Sequence, residues 1–131
     1  MKNTIFKLLE YSYYFSLIIL LVLYLFPGSL VGYFLYGNLG QQPDLISNPI
    51  GTSINHLISF IFLSFLAFIS RARKKNFFNS LQFLFFTSIL LELLHRFIPN
   101  RAFEYYDLLA NITGVVFAYL FVKIILKIKI V

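Results

Sequence analysis

Four long apolar runs dominate this sequence and limit what it can fold into. They cover about residues 5–26, 54–70, 77–98 and 108–126. A helix needs about 20 residues to cross the ~30 Å hydrocarbon core of a bilayer, with roughly 17–25 usual, so each run is long enough to span a membrane. None of them alternates polar and apolar residues as barrel strands do. The pattern predicts an all-α integral membrane four-helix bundle, with residues 1–131 forming a single transmembrane domain.

The composition excludes an ordinary soluble fold. The chain has 131 residues, of which 60% are hydrophobic and 12% are charged. Soluble domains average about 45–50% apolar and about 25% charged residues. A soluble domain of this size buries only about 60–70% of the surface that its unfolded chain exposes, which is too little to hide so much apolar area. The absence of cysteine also excludes disulfides and thiolate chemistry.

Basic residues predict the orientation of the bundle. If the N-terminus is inside, nine basic residues lie inside and only Arg96 and Arg101 lie outside. The inside set is Lys2, Lys7, Arg71, Arg73, Lys74, Lys75, Lys123, Lys127 and Lys129. This bias predicts an N-in/C-in, multi-pass protein of the cell inner (plasma) membrane. The first run has no good signal-peptide cleavage site after it, which favours an uncleaved anchor.

The net charge of +6 therefore indicates membrane lipids as partners and no nucleic acid. The basic residues cluster at the ends of apolar runs, as anchors to anionic lipid do. A nucleic-acid interface would instead place them on one face among stacking aromatic residues.

Polar residues converge near the predicted outer ends of three helices. His56 lies near the start of the second helix, and Glu92 and His95 lie in the last turns of the third. Asp107 and Asn111 lie in the first turns of the fourth. Each of the last two pairs shares a helix face, because its spacing is i, i+3 or i, i+4. With Arg101 in the intervening loop, the predicted ligand-binding residues are His56, Glu92, His95, Arg101, Asp107 and Asn111.

Several of these residues also have a structural interpretation. Glu92 can form an ion pair with Arg101 or His56, or remain protonated between helices; a carboxylate within a bilayer is nevertheless a default functional candidate. His56 and Asn111 can serve as interhelical hydrogen-bonding groups. Asp107 can cap the fourth helix. Arg101 can reach Glu92, Asp107 or a phosphate.

The Glu92-x-x-His95 pair matches one ligand step of carboxylate-bridged metal bundles, which need two such steps and further glutamates. With only one step present, we predict no metal and no cofactor. Gly114, one turn beyond Asn111, is expected to allow a neighbouring helix to approach closely.

The segments ELLHRFIPNR (Glu92–Arg101) and DLLANITG (Asp107–Gly114) resemble the signature of the VanZ-like membrane protein family. That signature has Glu, then Gln three residues on, Pro-x-Arg, and Asp, Asn and Gly at this spacing, and His56 matches a family His. The resemblance covers roughly residues 52–118. Two departures are His95, where Gln is usual, and Thr52-Ser53, where an acidic–basic pair is frequent. The resemblance implies a four-helix topology and these polar positions, without supplying a reaction.

The family is named for low-level resistance to the glycopeptide teicoplanin, which makes antibiotic resistance an implied role. The leading hypothesis is a cell-envelope protein whose outer-leaflet polar pocket binds a lipid headgroup, a lipid-linked glycan precursor or an amphiphilic antibiotic such as a glycopeptide. The second is an accessory or structural subunit of a larger membrane complex. The third is an envelope enzyme on a lipid-linked substrate, with His56 or Glu92 as general base. Because no nucleophile stands out, the sequence favours binding over catalysis.

Overall fold

The structure is a computed structural model that describes residues 2–43, 51–72 and 74–128. Over these residues the chain is all-α and forms five helices in the order α1 (Lys2–Leu25), α2 (Leu30–Tyr36), α3 (Gly51–Arg71), α4 (Leu81–Leu94) and α5 (Tyr105–Ile128). Part of the predicted outer loop (44–50) and two residues of the predicted inner basic set (Arg73 and Lys129) lie outside the described residues.

Three of these helices are long and apolar enough to cross a membrane, namely α1, α3 and α5. Helix α4 has only 14 residues. At 1.5 Å per residue it is about 21 Å long, which is short of the ~30 Å hydrocarbon core. The apolar run predicted this helix over residues 77–98. In the structure, α4 begins four residues later, at Leu81, and ends four residues earlier, at Leu94.

Two asparagines explain why α4 begins late. The Asn79 Oδ1 atom accepts from the Asn76 backbone N–H at 3.0 Å, and the Asn76 Oδ1 atom accepts from the Asn79 N–H at 2.9 Å. Such local bonds offer the backbone an alternative to the helix. Arg71 donates to the Asn76 carbonyl at 2.7 Å and ties this turn to the end of α3. Ser80 then caps α4 by accepting from the Phe83 N–H.

Pro99 explains why α4 ends early. A proline disfavours the helical conformation of the residue before it, here Ile98. After Leu94 the chain continues in tighter turns, in which the N–H of each of residues 95–97 bonds to the carbonyl three residues earlier. Asn100 has a left-handed φ of 59°, and the Arg101 N–H bonds back to the Ile98 carbonyl at 3.2 Å. This turn reverses the chain into α5, which begins at Tyr105.

Helices α1, α3, α4 and α5 pack as a closed ring. Helix α3 packs most extensively against α5 and also against α1, while α4 packs against α5 and, over a smaller contact, against α1. Long helices that follow one another along the chain run antiparallel, so α1 and α4 share one direction and α3 and α5 share the other. One end of the bundle holds the last turns of α1 and α4 and the first turns of α3 and α5. We call it the cluster end, because buried polar side chains from these turns meet there. The opposite end, which carries Lys7, Arg71, Lys74 and Lys127, is called the basic end.

The exterior of this ring is apolar along much of its length. Residues of α1 such as Ile5, Phe15 and Ile18 are more than half exposed, as are Phe117 and Ile124 of α5. A soluble monomer rarely exposes such continuous apolar area, and lipid is the solvent that it fits. The exposed side chains agree with the composition: this is a membrane protein.

A compact loop covers the cluster end beside α1. Ser29 caps α2 by accepting from the Gly32 N–H at 2.9 Å, and its own N–H donates to the Leu39 carbonyl at 2.7 Å. A Cβ atom on Gly32 would lie 1.6 Å from the Gln41 carbonyl oxygen, so only glycine permits this packing. The loop thereby fixes α2 against the chain that leads toward α3.

The close approach predicted at Gly114 is confirmed. A Cβ atom at this position would lie 2.8 Å from the Leu57 carbonyl oxygen and 2.9 Å from the Phe60 Cβ atom, both on α3. Because one of these atoms belongs to the α3 backbone, a side chain could be accommodated only if the two helices moved apart. The contact sets the separation of the α3–α5 pair one turn away from Asn111.

Replacing Gly114 with alanine should therefore destabilise the protein. We expect Gly114→Ala to lower the free energy of unfolding by about 1–3 kcal/mol, as overpacking of a tight interface typically does. Thermal unfolding in a mild detergent measures the change. Gly40→Ala is the matched control, because a Cβ atom there would meet only the Asn38 Oδ1 atom at 3.4 Å. Equal Tm values for the two variants would contradict the tight contact.

Candidate functional site

Five of the six predicted site residues meet inside the bundle at the cluster end. His56 comes from the second turn of α3, Glu92 and His95 from the end of α4, and Asp107 and Asn111 from the start of α5. All five are buried, with at most 7% of any residue exposed. Together with Tyr24 of α1, they form what we call the polar cluster. All four helices of the ring thus contribute to the polar cluster.

Glu92 is at the centre of the polar cluster and is fully buried (0% exposed). Its Oε2 atom lies 3.5 Å from His56 Nδ1 and 3.4 Å from His95 Nδ1. Asn111 Nδ2 donates to the same oxygen at 3.4 Å, and the Glu104 backbone N–H donates to Oε1 at 3.2 Å. The carboxylate therefore has polar neighbours from three segments of the chain, as a buried charge requires.

Asp107 contacts the other nitrogen of the same histidine. Its Oδ2 atom lies 3.5 Å from His56 Nε2, and its Oδ1 atom accepts a hydrogen bond from the Ser53 hydroxyl at 2.5 Å. The imidazole ring of His56 is therefore placed between two buried carboxylates. Because α5 begins at Tyr105, Asp107 lies within its first turn. The prediction that Asp107 caps the helix is wrong, since its side chain points to α3 instead.

Tyr24 connects the other members of the polar cluster to α1. Its hydroxyl donates to Asn111 Oδ1 at 3.0 Å and also lies 3.0 Å from His56 Nδ1. Its backbone carbonyl oxygen lies 3.1 Å from His95 Nε2. The Tyr24 ring stacks on His95 with an interplanar angle of 24°. One residue of α1 thus contacts side chains of α3, α4 and α5.

Arg101 lies apart from the carboxylates. Its guanidinium donates to the Leu23 carbonyl at 2.6 Å and, at 3.5 Å, to the Phe26 carbonyl, both at the end of α1. The last carbonyls of a helix lack intrahelical partners and carry partial negative charge, so a cation is favoured there. Among the described residues, Arg101 forms no ion pair with Glu92 or Asp107, in contrast to one of the predicted structural roles.

A cavity of about 360 Å³ adjoins the polar cluster. One wall is polar and includes Tyr24, His56, His95 and Arg101. The apolar part of the lining comes largely from α2 and the end of α1, with the residues Leu23, Leu30, Val31 and Leu35. No Asp or Glu side chain lines the cavity within the described part of the chain. The two buried carboxylates lie behind the histidines.

The field of these carboxylates extends to the start of α5. Burial, and then the negative charges of Asp107 and Glu92, raise the pKa of the Glu104 carboxyl above its ordinary value. Glu104 itself is exposed, so it marks the edge of the acidic region. The start of α5 beside Asp107 and Glu92 therefore favours protonation of the Glu104 carboxyl.

The sequence analysis missed two members of this site, Tyr24 and Ser53. Tyr24 lies three residues before Pro27, close to the predicted outer end of the first helix, and a polar aromatic residue there resembles an ordinary interfacial tyrosine. Ser53 precedes His56 by three residues, and this spacing places both on one face of α3. That spacing was the available signal for Ser53. For Tyr24, only the contact between α1 and the other helices shows that it faces inward.

Removing the Tyr24 hydroxyl should weaken the polar cluster. In Tyr24→Phe, Asn111 Oδ1 loses its donor inside the bundle, so we expect the free energy of unfolding to fall by about 1–2 kcal/mol. Unfolding in detergent measures the loss, and Tyr105→Phe, at an exposed tyrosine of α5, is the control. A Tyr24→Phe protein as stable as the control would show that the hydroxyl carries no net energy.

Comparisons with known proteins agree with the resemblance seen in the sequence. A family model described as VanZ/LLP1 matches residues 11–126, a range that contains every residue of the polar cluster. No curated protein and no solved structure shows significant similarity to the chain. The match extends beyond the segment from residue 52 to 118 in which the resemblance is visible, and it includes most of α1 and α5. The chain belongs to the VanZ/LLP1 family.

Proposed function

We propose that this protein is a multi-pass protein of the plasma membrane that binds an amphiphilic ligand by its anionic headgroup. The ligand class is a phospholipid, a lipid-linked glycan precursor or an antibiotic that carries both apolar and anionic groups. The observation that supports this proposal is the 360 Å³ cavity, whose lining combines apolar side chains of α2 and the end of α1 with polar side chains that include Arg101.

The charges at the cavity favour an anionic headgroup. Arg101 is the cation among the described residues that line the cavity, and His56 and His95 line it as well, whereas Glu92 and Asp107 are set back behind the imidazole rings. Arginine matches phosphate and carboxylate groups through its planar array of donors. Ligand pockets are generally apolar with a few convergent polar groups, which is the composition found here.

The apolar wall suits the chain of an amphiphile. Val31 and Leu35 lie on α2, whose exposed residues also include Tyr33 and Phe34. A short helix with such side chains fits the boundary between headgroups and acyl chains. An acyl or prenyl chain that extends along α2 would leave its headgroup beside Arg101.

The proposal includes four membrane crossings in an N-in/C-in orientation. The fourth crossing is α4 together with its flanking turns, because Phe77, Phe78 and Phe97 are more than half exposed and lengthen the apolar band of the 14-residue helix. Lysines and arginines near the basic end favour the cytoplasmic side. The cluster end and its cavity then face the outer leaflet.

Single cysteines test this orientation, because the natural chain contains none. Gly40→Cys lies in the loop at the cluster end and Lys75→Cys lies at the basic end, and both positions are exposed. We expect a membrane-impermeant maleimide to label Gly40→Cys on intact cells and Lys75→Cys only after permeabilisation. Labelling with the reverse pattern, or of both positions on intact cells, would contradict the orientation.

Replacing Arg101 tests the headgroup site. We expect Arg101→Gln to weaken binding of a fluorescent phosphatidylglycerol to the purified protein by about 10–100-fold, the usual range for one hydrogen bond to a charged group. Phosphatidylcholine with the same chains should bind more weakly to the wild type. Arg96→Gln is the matched control, because Arg96 is an exposed arginine of the same segment that does not line the cavity.

A second variant tests the apolar wall, since Arg101 also holds the end of α1. Val31→Phe adds bulk to the cavity wall and should weaken binding of the same lipid, whereas Val22→Phe, on the exposed surface of α1, should not. Wild-type affinity in both Arg101→Gln and Val31→Phe would overturn the proposed site.

A further inference from the structure

We propose that His56, Glu92 and Asp107 bind a divalent transition-metal ion, with Zn²⁺ preferred. One ligand atom from each of the three residues lies within 4.8 Å of the other two, and all three residues are buried. The set differs from the Glu92-x-x-His95 step considered in the sequence, because its histidine comes from α3 and its second carboxylate from α5. The inference concerns a cation behind the cavity wall and does not depend on a lipid ligand.

The hydrogen bonds around His56 locate its unprotonated nitrogen. The single Tyr24 hydroxyl proton is donated to Asn111 Oδ1, so the Tyr24 oxygen can only accept from His56 Nδ1. The other neighbour of Nδ1 is Glu92 Oε2, which is also an acceptor. Nδ1 therefore carries the proton. In a neutral imidazole the other nitrogen has none, so the lone pair of Nε2 faces Asp107.

The orientation of Asn111 supports this assignment. Its Nδ2 atom donates to the Ser88 carbonyl at 3.3 Å and to Glu92 Oε2 at 3.4 Å. Both of these partners are acceptors, so the amide nitrogen must face them and the amide oxygen must face Tyr24. Two acceptors, His56 Nε2 and Asp107 Oδ2, consequently lie opposite each other, and a cation between them removes the repulsion.

The distances favour a metal ion over a proton. His56 Nε2, the nitrogen with the free lone pair, and Asp107 Oδ2 are 3.5 Å apart. A hydrogen bond between an imidazolium and a carboxylate is about 2.7–2.9 Å long. A tetrahedral Zn²⁺ with ligand bonds of about 2.0–2.1 Å holds its ligands roughly 3.3–3.4 Å apart. The spacing between Nε2 and Oδ2 is close to that separation.

The negative charge of the two carboxylates also favours a divalent transition-metal ion. Among the described residues, the ion-pair partners of Glu92 and Asp107 are histidines, with no lysine or arginine. The two carboxylates flank a neutral His56 imidazole, and a divalent ion at Nε2 supplies positive charge between them. Imidazole is a ligand for transition metals rather than for Mg²⁺ or Ca²⁺, which prefer oxygen ligands. One nitrogen and two carboxylates are a donor set that Zn²⁺ accepts.

Each candidate ligand has a partner that holds it in place. Ser53 donates to Asp107 Oδ1, Tyr24 contacts the protonated nitrogen of His56, and Asn111 and the Glu104 N–H donate to Glu92. Metal ligands in proteins are usually oriented by such outer partners. His95 belongs to this outer group, because it contacts Glu92 but is not part of the three-residue set.

The test is the metal content and metal affinity of the full-length protein in detergent, purified through a tag without histidines. We expect about one Zn²⁺ per chain in the wild type by mass spectrometry. After chelation, titration with ZnCl₂ should restore it. His56→Gln, Glu92→Gln and Asp107→Asn should each lower the affinity more than the roughly 10–100-fold typical of an outer partner, and His95→Gln should fall within that range.

Glu104→Gln is the matched control, since it removes a carboxylate near the cluster that is exposed and outside the ligand set. It should bind Zn²⁺ like the wild type. If the ligand variants fail to fold, the wild type alone decides: EDTA should lower its Tm, and Zn²⁺ but not Mg²⁺ should restore it. Absence of both metal and Tm response, or equal Zn²⁺ binding by the ligand variants and the wild type, overturns the proposal. Arg101→Gln should retain the metal, so the two proposed sites fail separately.

Discussion

The placement of His56 between two buried carboxylates is the interaction on which the rest of the structure depends. Glu92 and Asp107 lie on neighbouring helices of the ring, and neither can be removed from water without partners. The requirement fixes the register of three helices at once. Sliding α3 by one turn would move His56 about 5.4 Å away and leave both carboxylates without it. The ring of helices is thus aligned by its polar interior as well as by apolar packing.

The close helix contact at Gly114 makes this alignment sterically feasible. Gly114 brings the α5 backbone against α3 near Leu57 and Phe60, immediately below the polar cluster. Within a bilayer, lipid chains are as apolar as leucine, so close backbone contact and interhelical hydrogen bonds supply much of the association energy between helices. The glycine contact and the hydrogen bonds of Tyr24 and Asn111 lie within about one turn of each other, and each helps to position the other.

The sequence predicted the membrane class, the family and the convergence of five polar residues. Each of these follows from features that are visible along the chain: the apolar runs, the motif spacing and the order of the helices. Apolar run length gives membrane spans, and antiparallel connections bring the ends of α3, α4 and α5 to one depth. Helix boundaries were less predictable. The late start of α4 depends on reciprocal bonds between Asn76 and Asn79, which compete with a helix that the apolar run alone favours.

Contacts between distant segments were not predictable from these patterns. The inward orientation of Tyr24 depends on how α1 rotates against the other helices, and its sequence neighbours are apolar on every side. Arg101 had acidic residues within reach, yet it bonds to the end of α1, where unpaired carbonyls attract a cation. The cavity likewise depends on α2, whose position is set by the contact between Gly32 and Gln41.

The two histidines separate charges of opposite sign at the cluster end. Each ring lines the cavity on one side and contacts a carboxylate on the other: His56 with Asp107 and Glu92, His95 with Glu92. A carboxylate exposed directly in the cavity would repel an anionic headgroup, and this repulsion would be strong in a medium of low dielectric constant. Positive charge among the carboxylates, whether from protons or from a metal ion, removes that repulsion. The acidic interior and the basic cavity wall are therefore compatible only because the imidazole rings lie between them.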